Sequence, residues 1–161
     1  MNMQLSKTPI GLDGVPAAET VLSHVDGERG ELIIAGERVG ELVRKTSFEG
    51  VTARLWSGGT GQPVGEAEVR AALGAARQRA FVRLPELLGI ARGLSIVDGF
   101  RAAIAGLRAE NGLRHEAVIV GAFPVIAGAL VQRAKGGDPI APDPNVSHAA
   151  DTLTMLLNRK P

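Results

Sequence analysis

A mainly α fold is predicted for this chain, with several helices packed around one buried apolar helix and a single β-hairpin near the N-terminus. Three observations predict it. Ala117 to Val131 is a run of fifteen residues without a charged or hydrogen-bonding side chain, and a helix apolar around its whole circumference belongs inside a helical body. The composition, with 21 Gly, many Ala, four Phe, one Trp and no Tyr, suits closely packed aliphatic helices better than a sheet, which favours β-branched and aromatic side chains. From Gly36 onward the apolar residues recur at helical rather than alternating spacing.

Length and charge narrow the field further. At 161 residues the chain is expected to be a single domain, with a loose N-terminus over 1–10, a loop and hairpin over 11–36 and a helical part over 37–161. A net charge of +1 from 18 basic and 17 acidic residues provides no field for nucleic acid or an anionic membrane. The absence of Cys removes disulfides, thiolate metal sites and Cys nucleophiles. Met1 to Pro9 lacks the apolar core of a signal peptide, so the chain reads as soluble and cytoplasmic. A membrane span needs about 20 apolar residues, and the central run stops between His115 and Gln132-Arg133.

In chain order, Glu19 to Val25 and Glu31 to Ala35 read as two strands joined at Asp26-Gly27 and Gly30. Val39, Leu42 and Val43 begin a short helix that ends near Lys45. Thr46-Ser-Phe-Glu49 matches a capping box, in which the Thr oxygen takes an orphan amide and the Glu returns to the Thr amide. That helix carries Phe48, Val51 and Leu55 on one face and ends at Gly58-Gly59-Thr-Gly61. Glu66 to Arg79 is amphipathic, with Val69, Leu73 and Ala76 inward and Arg70, Arg77 and Arg79 outward. Pro85 opens a helix through Arg92, and Ser95 with Asp98 caps one expected to reach Glu110, before the stop signal Asn111-Gly112. The central helix, Glu116 to Ala134, follows, with a kink expected at Pro124. Lys135 to Pro144 is a stiff loop of the kind that borders sites. Asn145 or Ser147 caps a final helix whose apolar face is Val146, Ala149, Ala150, Leu153, Leu156 and Leu157.

Motifs for chemistry are sparse. The Gly58 to Gly61 loop follows a helix and lacks the Lys and Ser/Thr of a phosphate-binding loop. Arg77, Arg79 and Arg83 form a basic cluster without interleaved aromatics, which reads as a solvated face. Of His24, His115 and His148, only His148 has a carboxylate at helical spacing, Asp151, and a local side-chain pair is favoured over a metal site. No HExxH, DxDxDG or GxSxG pattern occurs. No catalytic, cofactor-binding or metal residue is assigned.

Read as ordered blocks, the sequence resembles a known family. Gly11-Leu-Asp-Gly-Val15, Ala18-Glu-Thr20, Ser23-His-Val-Asp-Gly27 with Gly30, Ser47-Phe-Glu49 with Leu55-Trp56, Pro142-Asp-Pro144, Ser147-His-Ala-Ala150 and Leu153-Thr-Met-Leu156 resemble the N-terminal part of citrate synthase. The resemblance runs from Gly11 to Pro161. It implies the large-domain fold of a mostly helical homodimer that condenses acetyl-CoA with oxaloacetate, an acyl transfer of the tricarboxylic acid cycle. In the family a carboxylate takes a proton from the acetyl methyl group and histidines stabilise the enolate and polarise the ketone. The family segments bearing those groups lie downstream of the last block, and this sequence has no counterpart of them. The final block departs from the family at Asp151, at Thr152, where an aromatic is usual, and at Asn158, where Gly is usual.

The leading expectation is therefore an N-terminal portion of a citrate synthase-type enzyme, inactive alone and completed by a complementary C-terminal chain. The alternative is a non-catalytic relic or a helical interaction and dimerisation module. A small-molecule binder using the Lys135 to Pro144 loop is the weakest reading. The expected partners are further copies of the chain or the complementary chain, with no nucleic acid and no membrane. Small-molecule substrate, acetyl-CoA included, belongs to the complete enzyme only. Alone, the chain is expected to be oligomeric or aggregation-prone because apolar faces stay exposed.

Overall fold

A computed structural model describes residues 20–158. The expectations for the loose N-terminus, for the start of the loop and hairpin region from 11 onward and for Glu19 at the head of the first strand lie outside them. Within them the chain runs β1 (Ser23–Asp26), β2 (Glu31–Ile34), β3 (Glu37–Arg38), α1 (Val39–Lys45), α2 (Phe48–Thr60), α3 (Glu66–Val82), α4 (Leu84–Ile90), α5 (Ile96–Ala105), α6 (His115–Ala134) and α7 (His148–Leu157).

The expected hairpin is present, with Val25 opposite Leu32 and Ser23 opposite Ile34. It is extended into a three-stranded antiparallel sheet by β3, which places Ile33 opposite Arg38. The second turn is Ala35-Gly36, with φ of 49° and 82°. Two consecutive positive φ values are what a two-residue hairpin turn requires. Ala rarely adopts them, which is why the sequence signal for this turn is weak.

The helices sit around α6, which packs most extensively on α3, then on α7 and α5. Small residues set the distances. A Cβ at Gly121 would lie 2.5 Å from the Cβ of Ala76 on α3, and one at Gly128 would lie 3.0 Å from the Cβ of Met155 on α7. One core cluster joins Leu84, Leu87 and Leu88 with Ala103, Val125, Ile126, Ala129 and Met155. A second joins Ala53 with Val69, Leu73, Ala76 and Ala117, flanked by Trp56. Among the described residues α6 alone is long and apolar enough to cross a membrane, and more than half of it is buried inside the fold. Its burial is not complete, contrary to the sequence expectation. Ile119 and Phe123, spaced i and i+4, are 48% and 43% exposed, so one stripe of the post faces outward. The helix continues through Pro124, which is buried.

Several boundaries and faces also differ. The cap of α2 is Ser47, not Thr46; its Oγ accepts from Gly50 N at 3.0 Å. Helix α3 runs on to Val82, α4 stops at Ile90, and α5 ends at Ala105 rather than near Glu110. Gly106 stops α5 where it passes α4 so closely that a Cβ would lie 2.5 Å from Ile90 Cδ1. Ser95 caps α5 as expected, accepting from Asp98 N at 3.1 Å. Ser147 caps α7, and Asn158 at φ 54° closes it, donating its N–H to Thr154 O.

Candidate functional site: a closed charge cluster beneath an open apolar groove

Arg77 is the largest departure from the sequence reading. It is not on the outer face of α3 but fully buried, 1% exposed, because it lies four residues after Leu73 and faces α7. Its Nε is 2.6 Å from Asp151 Oδ2, a charge contact whose direction is off the line of a hydrogen bond. Nη2 donates to the backbone oxygens of Asp143 and Val146 at 3.1 and 3.2 Å. Nη1 lies 3.1 Å from His148 Nδ1. Asp151 Oδ1 in turn accepts from Asp143 N at 3.0 Å. The expected pairing of His148 with Asp151 is thus mediated by Arg77, and the basic cluster dissolves. Arg83 pairs with Glu86 and Glu110, leaving Arg79 exposed.

Glu49 completes the cluster from α2. Its carboxylate does not return to Thr46 as a capping box would; it accepts from His148 N at 2.8 Å. It therefore satisfies the first orphan amide of α7 from another helix, where the helix dipole favours a negative group. Ser147 Oγ takes the Ala150 amide at 3.3 Å. Three elements far apart in sequence are tied at one point, and the end of the Lys135 to Pro144 loop with them. That loop packs on α3 at Gly74, where a Cβ would lie 2.6 Å from Pro144 O.

Every guanidinium nitrogen is a donor, so His148 Nδ1 must accept and the neutral ring carries its proton on Nε2. Burial, and next the Arg77 charge, push the imidazole below its ordinary value of 6.5, against the opposing pull of Glu49 and Asp151. The ring stacks on Phe48 with centroids 4.9 Å apart. Nε2 has no hydrogen-bond partner among the described residues.

Above His148 opens a groove of about 540 Å³. Phe48 of α2, Phe100 of α5, Phe123 and Ala127 of α6, and Thr152, Leu153 and Leu156 of α7 line it. Phe100 and Phe123 meet edge to face at 5.1 Å. The Thr152 hydroxyl is turned away into the helix, donating to His148 O at 2.6 Å, so the walls carry no charge. Helix α7 is inverted relative to its sequence pattern. His148, Asp151 and Met155 are the buried face, whereas Leu153 and Leu157 are 44% and 46% exposed. No residue of the Lys135 to Pro144 loop lines the groove.

The cluster fastens α2, α3 and α7 together, its carboxylates and guanidinium spent on one another and on backbone groups. Among the described residues no three His, Cys, Asp or Glu side chains gather as a metal site. His24 lies on β1 and His115 at the start of α6, both exposed and neither joined to the cluster.

Comparison with known proteins agrees with this architecture. A family model described as "Citrate synthase, C-terminal domain" matches residues 11–161. The citrate synthase of Haloferax volcanii is 29% identical, over 94% of this chain and 44% of its own length. That of Acidithiobacillus ferridurans is 30% identical, over 94% of this chain and 43% of its own. The crystal structure of the Pyrobaculum aerophilum citrate synthase superposes with a TM-score of 0.73 at 23% identity, covering 99% of this chain and 45% of that one. The chain spans less than half the length of the curated relatives it matches. With the family matched across nearly its whole sequence and the fold shared, the chain belongs to the citrate synthase family.

Proposed function

We propose that the chain is the N-terminal, large-domain portion of a citrate synthase-type enzyme that condenses acetyl-CoA with oxaloacetate. It works in the cytoplasm, with the proton-moving groups supplied by the part of the family's fold that lies outside these 161 residues. The observation that carries this reading is the pairing of a shared fold with an unshared chemistry. The fold matches over 99% of this chain and 45% of a related one, while the buried cluster of Glu49, Arg77, His148 and Asp151 spends its carboxylates and guanidinium on one another and on neighbouring groups. A Claisen-type condensation needs a carboxylate free to take a proton and donors aimed at the developing enolate oxygen. Those groups belong to the complement. The placement at the N-terminal side rests on the ordered blocks from Gly11 to Leu156, since the description of the matching family model names a domain and not the part of it that is covered.

Co-expression with a chain bearing the missing His and Asp segments, followed by thiol release from acetyl-CoA in the presence of oxaloacetate, tests the reading. A complex that produces citrate is the expected result. No complex and no thiol release would overturn it in favour of a non-catalytic relic or dimerisation module. The isolated chain itself is expected to self-associate through its exposed apolar faces, which light scattering reads directly.

A further inference from the structure

We propose that His148 is a proton-operated catch: a proton on Nδ1 drives the ring off Arg77 and lets the first turn of α7 part from α2, while Arg77 and Asp151 still hold α7 to α3. The catch is independent of the reaction proposed above. Arg77 Nη1 lies 3.1 Å from His148 Nδ1, with the two side chains 1% and 7% exposed. A guanidinium has only N–H groups to present, so this contact exists only while Nδ1 keeps its lone pair. The neutral ring already carries its one proton on Nε2, and a second can go only to Nδ1. There it sets N–H against N–H and cation against cation, and turning the ring over merely presents another N–H. His148 is also the first residue of α7, where the helix dipole disfavours a cation.

The surrounding charges decide which side gives way. From α3, Arg77 opposes protonation, and burial opposes it more; from α2 and α7, Glu49 and Asp151 favour it, with the balance lying toward the neutral ring. Asp143, at the end of the preceding loop, is exposed and turns its carboxylate to its own Asn145 amide. The groove residues of α5 and α6 beside the ring, Phe100, Phe123, Pro124 and Ala127, carry no charge. Arg77 is bound to Asp151 by opposite charges 2.6 Å apart in the interior, a pair that is costly to separate. The ring is held otherwise only by its stack on Phe48. The ring therefore yields and the guanidinium stays. Because the His148 amide donates to Glu49 at 2.8 Å, a displaced His148 takes the α2 contact with it.

Amide hydrogen exchange of the full chain, read by mass spectrometry with residue-level fragmentation and corrected for the intrinsic pH dependence of exchange, tests the catch. Between about pH 7 and about pH 5, which brackets the ordinary histidine range, protection of the His148 and Asp151 amides should fall by about threefold or more. Their exchange should hardly depend on low concentrations of urea, since a local opening exposes little surface, whereas exchange of the Val125 and Ile126 amides in α6 should follow urea as global unfolding does. In His148→Gln, whose side-chain oxygen can accept from Arg77 but does not titrate, the acid-induced loss at those two amides should vanish. Exchange of the imidazole Cε1 hydrogen in the unsubstituted chain gives the titration of the ring itself, and the two events should share a midpoint. An equal loss in His148→Gln, or a His148 amide that opens only with global unfolding, overturns the inference. So does a ring that gains its proton while the first turn of α7 keeps its protection, an outcome that needs no variant to fold.

Discussion

Replacing Arg77 by Met should lower the stability of the fold by about 3–5 kcal/mol, the range for removing one partner of a buried ion pair. The magnitude follows from what the guanidinium leaves behind. Asp151, 2% exposed, would keep only the Asp143 amide against its charge, and the carbonyls of Asp143 and Val146 would lose their donor. Asp151→Leu should be similarly harmful, because it strands the Arg77 charge. In the double variant both charges are gone and only neutral groups, the backbone ones and His148 Nδ1, remain unpaired, at about 1–3 kcal/mol each. The double should therefore be no less stable than either single, with a coupling of at least about 2 kcal/mol. Urea unfolding followed by far-UV circular dichroism, with linear extrapolation to water, supplies all four corners of the cycle. Domains of this kind have about 5–15 kcal/mol in total, so a single variant that fails to fold, beside a double variant that folds, gives the same answer. Losses below about 1 kcal/mol, or losses that add to within about 0.5 kcal/mol, would refute the pairing as the fastening of α7.

Three further outcomes are expected. Gly121→Ala places a methyl 2.5 Å from Ala76 Cβ and should destabilise by about 1–3 kcal/mol through overpacking; Gly27→Ala, with nothing within 4 Å, is the control, and equal melting temperatures would refute the close α3–α6 contact. The lowered pKa of His148 means that between its folded value and its ordinary 6.5 the unfolded state binds more protons, so stability is complete above that window and falls as pH drops through it. The urea midpoint should accordingly decline on acidification, with a shallower decline in His148→Gln; a midpoint that rises instead contradicts the neutral ring. Ser147→Ala removes the cap of α7 and should cost about 1 kcal/mol, whereas Thr46→Ala should cost nothing in capping, because Ser47 holds that role in α2; thermal melts of the two variants distinguish them.

How much was legible in the sequence depended on whether a signal was local. The central helix, the hairpin and the Ser95 and Ser147 caps were readable because each is decided within a few residues. The Thr46 to Glu49 capping box failed because its Glu had a better partner 99 residues away in the His148 amide. Charged side chains on an amphipathic helix usually face outward, and Arg77 is an exception to that pattern. Its register was nonetheless visible, since it follows Val69 and Leu73 at successive steps of four along the buried stripe. A charge on such a stripe asks for an opposite charge on another, and Asp151 was available. The pattern of α7 misleads in a similar way: apolarity marks where a helix can be covered, not which part of the fold covers it. The groove could not be seen at all, since its walls come from four helices that only the tertiary arrangement brings together.

The way α7 is anchored has an evolutionary corollary. A helix bolted down by His148, Asp151 and Met155 can exchange Thr152, Leu153, Leu156 and Leu157 with little penalty to its own attachment. Selection can thus retune the outward flank against a changing counterpart while the bolt stays put, and matched drift on the two sides is the pattern such a division of labour would leave.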